Sequence, residues 1–186
     1  NVVSITNEGA NLALGSEKSM QLVNVSIKTG GNLAIGTLND LKIGTSTAQQ
    51  NTLSVGNNLN SDPDNLYLYA HNLIQINGLE ITGRVDDVYM EAITINLRNV
   101  TFPSTAEVTL RSRDGLLNTG SSAFSNPTPG YVNMENVKHK GILNDAATPV
   151  PVALVKLTHF HDGGAGKIYS KVTLPNGTPA IQIKKH

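Results

Sequence analysis

Short groups of alternating hydrophobic and polar residues run along the chain from Leu12 to Leu110. Each group holds two or three apolar side chains at every second position, and Gly, Asn or Asp usually separates it from the next group. A period of two residues is typical of a β-strand, because successive side chains point to opposite faces. The groups are Leu12/Leu14, Val23/Val25/Ile27, Leu33/Ile35, Leu41/Ile43, Leu53/Val55, Leu66/Leu68, Ile74/Ile76, Leu79/Ile81, Ile93/Ile95/Leu97, Val100/Phe102 and Val108/Leu110.

The alternation changes phase between groups, as it does from Ile76 to Leu79 across Asn77-Gly78. The pattern therefore predicts separate strands joined by corners. We find no stretch that keeps the helical spacing of apolar residues for long enough to predict a helix. We expect less than about a tenth of the chain to be helical, well below the usual third.

A longer repeat lies on top of this alternation. The sequence Asn-Leu-Ala-Leu-Gly at 11–15 recurs as Asn-Leu-Ala-Ile-Gly at 32–36 and, less closely, as Thr-Leu-Ser-Val-Gly at 52–56. The three copies close at evenly spaced glycines, and further groups between them give two or three strands per repeat. A period of roughly twenty residues indicates a β-solenoid, in which each coil stacks on its neighbour about 4.8 Å away. Glycines and asparagines at the corners would supply left-handed backbone conformations.

The predicted fold class is therefore all-β, a parallel β-helix closed by irregular C-terminal capping strands. The alternative is an antiparallel β-sandwich, which also has short strands every eight to twelve residues. Repetition of the residues themselves favours the solenoid, because a sandwich has no reason to repeat them in register. The expected inward positions include Leu12, Leu14, Leu33, Ile35, Leu53, Val55, Ile93, Ile95, Val108 and Leu110.

The regular alternation of apolar and polar residues ends near Gly115, and a segment rich in Ser, Asn, Pro and Gly follows. We expect residues 1–115 to form the repeat coils, and residues 116–186 to form a loop-rich last coil and C-terminal cap within the same domain. A cap would protect the unpaired edges of the terminal coil. The pattern predicts loops at 116–130 and 144–151, and strands at 131–142, 152–160, 167–174 and 180–183, the last two joined by a Pro-Asn-Gly hairpin-type turn.

Composition narrows the functions available to the chain. It has no tryptophan, 4% aromatic residues and no cysteine, which suits a narrow aliphatic interior and excludes disulfides and thiolate metal sites. Its 14 basic and 14 acidic residues balance, so we expect no nucleic-acid partner. It contains no apolar run long enough to cross a bilayer as a helix, so we expect no transmembrane segment. Phosphate-binding loops and dinucleotide fingerprints are absent from the sequence, and we expect no cofactor.

Residues 11–15 with their copy at 32–36, and the run 93–102, resemble the right-handed β-helical repeat regions of large exported bacterial surface proteins. These are of the filamentous-haemagglutinin and autotransporter-passenger type. The segment 103–115 is similar to the closing part of such repeats. The resemblance implies a secreted or cell-surface scaffold, adhesive or structural, with carbohydrate or other surface proteins as partners and without catalytic residues to carry over. The alternative function is a carbohydrate-active enzyme or sugar-binding module on a β-helix.

Two groups of residues are candidates for ligand binding. Tyr67 and Tyr69 share one face of a strand and could form a stacking platform for sugar rings. Arg111 and Arg113 project outward with Glu107 and could hold an acidic sugar or a phosphate. The alternative for both groups is an ordinary solvent-exposed β face.

One group is a candidate for metal binding. His159 and His161 would point to the same side of a strand, where two imidazoles and the carboxylate of Asp162 could hold a metal ion. The alternative is a pair of outward histidines beside the turn that Asp162 begins.

The densest charge cluster is the candidate for acid–base chemistry. It comprises Arg84, Asp86, Asp87 and Glu91, and β-helical polysaccharide enzymes would use outward carboxylates and basic residues of this kind. The alternative is a polar segment that simply follows the corner at Thr82-Gly83.

Overall fold

The structure, a computed structural model, describes residues 2–9, 11–45, 50–56, 64–112 and 131–139. It also describes the strand backbones at 142–151, 154–157, 169–173 and 179–183. Within these ranges every regular element is a β-strand, so the predicted all-β class is confirmed. The strands are β1 (Val3–Asn7), β2 (Leu12–Ser16), β3 (Met20–Leu22), β4 (Val25–Thr29), β5 (Leu33–Thr37), β6 (Asp40–Ile43), β7 (Asn51–Val55), β8 (Asp64–Ala70), β9 (Leu73–Gly83), β10 (Val85–Ala92), β11 (Thr94–Phe102), β12 (Glu107–Ser112), β13 (Tyr131–His139), β14 (Ile142–Pro151), β15 (Leu154–Leu157), β16 (Tyr169–Thr173) and β17 (Pro179–Ile183).

The strands form two sheets. Sheet A has nine strands, seven of which follow the order β1-β4-β7-β9-β11-β13-β14. The other two are β6, which pairs with β9, and β3, which pairs with β6. Sheet B has eight strands in the order β16-β17-β15-β12-β10-β8-β5-β2. Every pairing among β1 to β13 is parallel. The antiparallel sandwich therefore does not describe this part of the chain.

The register of sheet B defines the repeat. Leu12 is paired with Leu33, Leu33 with Leu66, Leu66 with Val88, and Val88 with Val108. The step from Leu33 to Leu66 is longer than the other three, which are nearly equal. Each step contains one strand segment of sheet B and two of sheet A, such as β5, β6 and β7. We call the three segments of one step a layer.

The predicted third copy of the repeat, at 52–56, is wrong. Leu53 lies in sheet A, where it pairs with Ile27 and Ile81, and the sheet B partner of Leu33 is Leu66. The step from Leu33 to Leu66 is longer than the other steps. A repeat of about twenty residues counted from Leu33 therefore ends at Leu53 in β7, a strand of the same layer, and does not reach β8. Strands of both sheets carry the same leucine-x-aliphatic pattern, and local likeness does not distinguish the sheets.

Glycines and asparagines were predicted to supply left-handed conformations at the corners, and this is correct for three asparagines but for only some of the glycines. Gly15 and Gly36 lie inside β2 and β5 and are not among the residues with positive φ. The described residues with positive φ are Asn24, Asn99, Asn136, Gly44, Gly56, Gly78 and Gly83. At Gly78, with φ 81°, β9 stays continuous from Leu73 to Gly83 while its inward positions change phase. The corner predicted at Asn77-Gly78 is thus a bend inside one strand.

Asparagines link the layers at these corners. Nδ2 of Asn99 donates to Oδ1 of Asn77 at 3.0 Å, and Nδ2 of Asn136 donates to Oδ1 of Asn99 at 2.7 Å. Asn51 is buried, accepts a bond from the backbone N–H of Val25 and donates Nδ2 to the carbonyl of Gly78 at 2.8 Å. Because buried polar groups are costly when unpaired, Asn51 satisfies backbone groups of two other strands, whereas Asn77, Asn99 and Asn136 bond to one another through their side chains.

A second column of asparagines lies at the start of the sheet B strands. Oδ1 of Asn11 accepts from the backbone N–H of Asn32 at 2.8 Å, and Oδ1 of Asn32 accepts from the backbone N–H of Asn65 at 2.7 Å. Oδ1 of Asn65 continues the column by accepting from the backbone N–H of Asp87 at 3.1 Å. Each asparagine side chain thus holds the backbone at the start of the next sheet B strand in register with its own strand.

The core lies between the two sheets and consists mainly of aliphatic side chains. Seven of the predicted inward residues are at most 1% exposed: Leu33, Ile35, Leu53, Val55, Ile95, Val108 and Leu110. Leu12 and Leu14 are only partly buried, since β2 is an edge strand that pairs with β5 alone. Ile93 is also only partly buried, because it precedes β11 and lies at a bend.

The C-terminal strands depart from parallel pairing. β14 pairs antiparallel with β13, β15 antiparallel with β12, and β16 antiparallel with β17, while β15 and β17 are parallel. The loop predicted at 144–151 is wrong, because β14 covers these residues. β14 ends the main path of sheet A, and an edge strand tolerates prolines such as Pro149 and Pro151. The described strands β13, β15 and β16 lie within the ranges predicted for them, and β17 begins one residue earlier than predicted.

Candidate functional site

The outer surface of sheet B carries two exposed tyrosines. Leu66, Leu68 and Ala70 of β8 are buried, and the alternation turns Tyr67 and Tyr69 to the other side. Their exposed fractions are 43% and 37%. The two rings therefore present much of their surface to solvent from a rigid strand.

Three successive strands bring further polar groups to the same surface. Tyr67 is paired in register with Tyr89, and Tyr69 with Glu91. Glu91 is paired in turn with Arg111 of β12. We call these five residues, Tyr67, Tyr69, Tyr89, Glu91 and Arg111, the tyrosine face.

Tyr89, Glu91 and Arg111 form a hydrogen-bonded cluster. The Tyr89 hydroxyl donates to Oε2 of Glu91 at 2.7 Å, and Nη1 of Arg111 lies 3.3 Å from the same oxygen. Nη1 of Arg111 also donates to the Tyr89 hydroxyl, at 3.5 Å. Partial burial, with smaller contributions from Glu91, raises the pKa of Tyr89 above its ordinary value of 10.0. The hydrogen bond with Tyr89 and the charge of Glu91 raise the pKa of Arg111. At neutral pH the cluster thus holds a neutral phenol between a carboxylate and a guanidinium.

This arrangement changes the interpretation of Arg111. Its side chain is 54% exposed, but its charge is balanced by Glu91 at 3.3 Å. An acidic ligand would have to compete with that carboxylate. Tyr89 was missed in the sequence, although the interval from Tyr67 to Tyr89 is the same as that from Tyr69 to Glu91. A correct prediction of the register between β8 and β10 would have placed Tyr89 beside Tyr67.

Small residues flank the tyrosines on the other side. β5 places Ala34 opposite Tyr67 and Gly36 opposite Tyr69. A Cβ atom added at Gly36 would meet no other atom within 4 Å. No large side chain of β5 therefore stands beside the two rings at these register positions.

The structure separates Glu91 from Asp86 and Asp87 of the charge cluster predicted for acid–base chemistry. Glu91 is bonded to Tyr89 and Arg111, whereas Asp86 and Asp87 are exposed near the start of β10. Asp87 and Glu91 are four residues apart on one strand, about 13 Å along it. The paired carboxyl groups of glycosidases lie about 5–10 Å apart.

Sheet A has a groove of about 360 Å³ on its outer surface. It is lined by Thr45, Gln75, Ile76, Asn77, Asn96, Leu97, Arg98 and Glu135. Arg98 and Glu135 form an ion pair at 2.6 Å across its side, and Asn77 is engaged with Thr45 and Asn99. The groove therefore has polar walls whose formal charges balance.

Several predicted site residues lie outside the described residues: Arg113, His159, His161 and Asp162. The metal site at the two histidines stays a prediction. In the part of the chain that the structure describes, no group of three or more His, Cys, Asp or Glu side chains could hold a metal ion. Nor do these residues include a helix long and apolar enough to span a membrane.

No protein-family model, curated protein or solved structure matches this chain.

Proposed function

We propose that the chain is a parallel β-solenoid that serves as a non-enzymatic scaffold of a secreted or cell-surface protein. The observation that carries the proposal is the parallel pairing of successive sheet B strands, from Leu12 through Leu33, Leu66 and Val88 to Val108, with one register shift between Val85 and Val88. Layers stacked in this way need few large side chains, since each one buries its aliphatic residues against the next. The asparagine columns at the corners support the same architecture.

A scaffold or adhesive role fits the way the charged groups are used. Glu91, Glu135 and Glu8 each form an ion pair, with Arg111, Arg98 and Lys28 respectively. Each of these ion pairs joins side chains of neighbouring layers, so the paired charges contribute to the stacking of the scaffold. The outer faces of the layers offer side chains at fixed spacing, which suits display and adhesion.

A second candidate is a sugar-binding module on the same solenoid. The tyrosine face favours it, because two exposed aromatic rings stand beside hydroxyl, carboxylate and guanidinium groups. Tyr combines a large apolar surface with a polar end, the combination that recognition of a polyhydroxylated ring requires. This candidate differs from the first only in requiring a specific ligand.

Nuclear magnetic resonance of the isotopically labelled chain tests the architecture. Parallel layers predict interstrand nuclear Overhauser contacts between register partners such as Leu33 and Leu66, or Leu66 and Val88. Antiparallel contacts among these strands would contradict the solenoid.

Adhesion and turnover assays test the function. Labelled protein should be retained by glycan-coated or cell surfaces and should release no reducing ends from acidic or neutral polysaccharides. Robust depolymerisation that survives further purification would end the scaffold proposal in favour of an enzyme. Antibody labelling of intact producing cells tests the surface location, and signal only after cell lysis would contradict it.

A further inference from the structure

We infer that the tyrosine face takes an uncharged glycan and discriminates against acidic ones. The inference rests on the second candidate function, sugar binding, and specifies its ligand class. It is carried by three observations: the charges around the face, the exposure of the two rings, and the open space beside them.

The charges argue against an acidic ligand. Asp87 and Glu107 are register partners on the outer surface of β10 and β12, at the border of the tyrosine face. With Glu91 they make three carboxylates, against one guanidinium that Glu91 already holds at 3.3 Å. The described charged side chains of this surface are therefore net negative, and like charges repel a polyanion.

The rings are placed to stack on an uncharged sugar. Tyr67 and Tyr69 are two residues apart on a strand, or about 7 Å, and Tyr89 lies across the ladder from Tyr67 at about 5 Å. The C–H face of a pyranose ring is apolar and packs on an aromatic ring, while its hydroxyl groups accept and donate hydrogen bonds. Arg111, with five N–H donors on a half-exposed side chain, lies within two strands of both rings.

Space beside the rings is kept open by Gly36. A glycine inside a strand lowers stability, and often marks a place where a ligand comes close to the backbone. Gly36 is not among the residues with positive φ, and no atom would obstruct a Cβ there. Neither backbone conformation nor packing therefore requires glycine at this position next to Tyr69.

A protein partner fits the same surface less well. The tyrosine face covers three strands, about 10 Å across, and two outward positions, about 7 Å along the strands. A stable protein interface needs about 800 Å² on each side. A narrow platform with two exposed rings is the size of one or two sugar units.

Affinity electrophoresis of the purified chain tests the inference, with a soluble neutral β-glucan and polygalacturonate as the two probes. We expect retardation by the neutral polymer that is nearly independent of salt, and little by the acidic one. The Tyr67→Ala/Tyr69→Ala double variant should bind at least about tenfold more weakly, because it removes both exposed rings on which the sugar packs. Gln75→Ala on sheet A is the matched control and should bind as the wild type does.

Gly36→Thr separates binding from folding. Threonine is favoured in strands, so the variant should unfold at the same or a higher temperature while its binding falls several-fold.

Tighter binding to polygalacturonate than to the neutral glucan would overturn the inference and leave sugar binding standing. Absence of binding to both probes and across a glycan array would overturn sugar binding itself. Self-association that the double tyrosine variant abolishes would assign the face to a second copy of the chain, against the inference.

Discussion

Asn99 donates its side-chain amide to Oδ1 of Asn77 at 3.0 Å, and so joins two successive layers at one corner of sheet A. Asn99 itself has φ 53°, a left-handed conformation that few residues other than glycine and asparagine adopt readily. Its Oδ1 accepts from Nδ2 of Asn136 in the following layer at 2.7 Å. One residue type therefore both makes the bend and ties the layers together.

Substitution of Asn99 separates these two roles. Asn99→Gly keeps the left-handed conformation and loses the hydrogen bonds, which should lower the free energy of unfolding by about 1–2 kcal/mol. Asn99→Ala loses both and should lower it by about 1–2 kcal/mol more. Urea unfolding followed by circular dichroism measures both. Equal stability of the glycine and alanine variants would contradict the role of backbone conformation.

The core prediction concerns Ile35, which is 1% exposed in β5. Ile35→Ala should lower the free energy of unfolding by about 2–5 kcal/mol, because it removes buried methyl groups and leaves a cavity. Leu38→Ala is the control at a side chain that is 63% exposed, and should change stability by less than about 0.5 kcal/mol. Thermal and denaturant unfolding compare the two. A small effect at Ile35 would mean that it does not face the core.

Two glycines should respond to alanine in opposite ways. Gly83 has φ 99°, and a Cβ added there would overlap the carbonyl oxygen of Val55. Gly83→Ala should therefore lower the unfolding free energy by at least about 1–3 kcal/mol. Gly36→Ala meets no atom and should be neutral or stabilising by up to about 1 kcal/mol. Differential scanning calorimetry of the two variants tests the contrast, and similar melting temperatures would refute it.

The Tyr89 cluster predicts a pH dependence at alkaline pH. Because the pKa of Tyr89 is raised in the folded protein, folding favours its protonated form. This stabilisation is complete below about pH 10, the pKa of unfolded tyrosine, and is lost as the pH rises through the folded pKa. The difference in stability between the wild type and Tyr89→Phe should be constant below about pH 10 and should shrink above it.

Ultraviolet titration checks the same group directly. One tyrosinate signal should appear above the ordinary pKa of 10.0, and this late signal should be missing in Tyr89→Phe. An unchanged late phase in this variant would show that another tyrosine is responsible. Tyr67→Phe serves as the exposed control.

The C-terminal segment is predicted to cap the repeats. β14 and β15 pair with β13 and β12, which would otherwise leave an open edge on each sheet. Deletion of residues 144–186 should cause aggregation or loss of the folded β signal, measured by light scattering and circular dichroism.

The histidine variants complete this test. His159→Ala/His161→Ala should leave fold and binding unchanged if the segment acts only as a cap. A soluble, folded deletion variant together with a histidine variant that loses Zn²⁺ binding or activity would reject the cap and support the predicted metal site.

Local pattern was enough to predict the strands but not their partners. The alternation predicted the inward residues of the inner layers, such as Ile35 and Val108, because a strand between two others buries every second side chain. The shorter repeat placed Leu53 in the wrong sheet, although it is buried as predicted, because strands of both sheets bury the same aliphatic pattern. The alternation failed at β14, where the prolines of an edge strand resemble those of a loop.

In the candidate site, too, the residues of one strand could be predicted from the sequence, but those of neighbouring strands could not. Tyr67 and Tyr69 share a face within one strand, and their outward direction could be predicted from the buried leucines beside them. Tyr89 and Glu91 reach that face only through the register between β8 and β10. Register depends on the length of the whole step, which is much longer from β5 to β8 than from β10 to β12, and single residues do not reveal it.

The same register limits how far apart in sequence two touching strands are. Paired strands of sheet B from β2 to β12 are separated by on the order of a tenth to a fifth of the chain. A relative contact order of this size is low for an all-β protein, in which distant strands usually have to meet before either is stable. Folding can therefore begin at any one pair of neighbours and extend in both directions, since even the longest of these loops, from Leu33 to Leu66, is a small part of the chain. The chain thus combines the backbone hydrogen bonding of a sheet with the sequential growth more common in helical repeats.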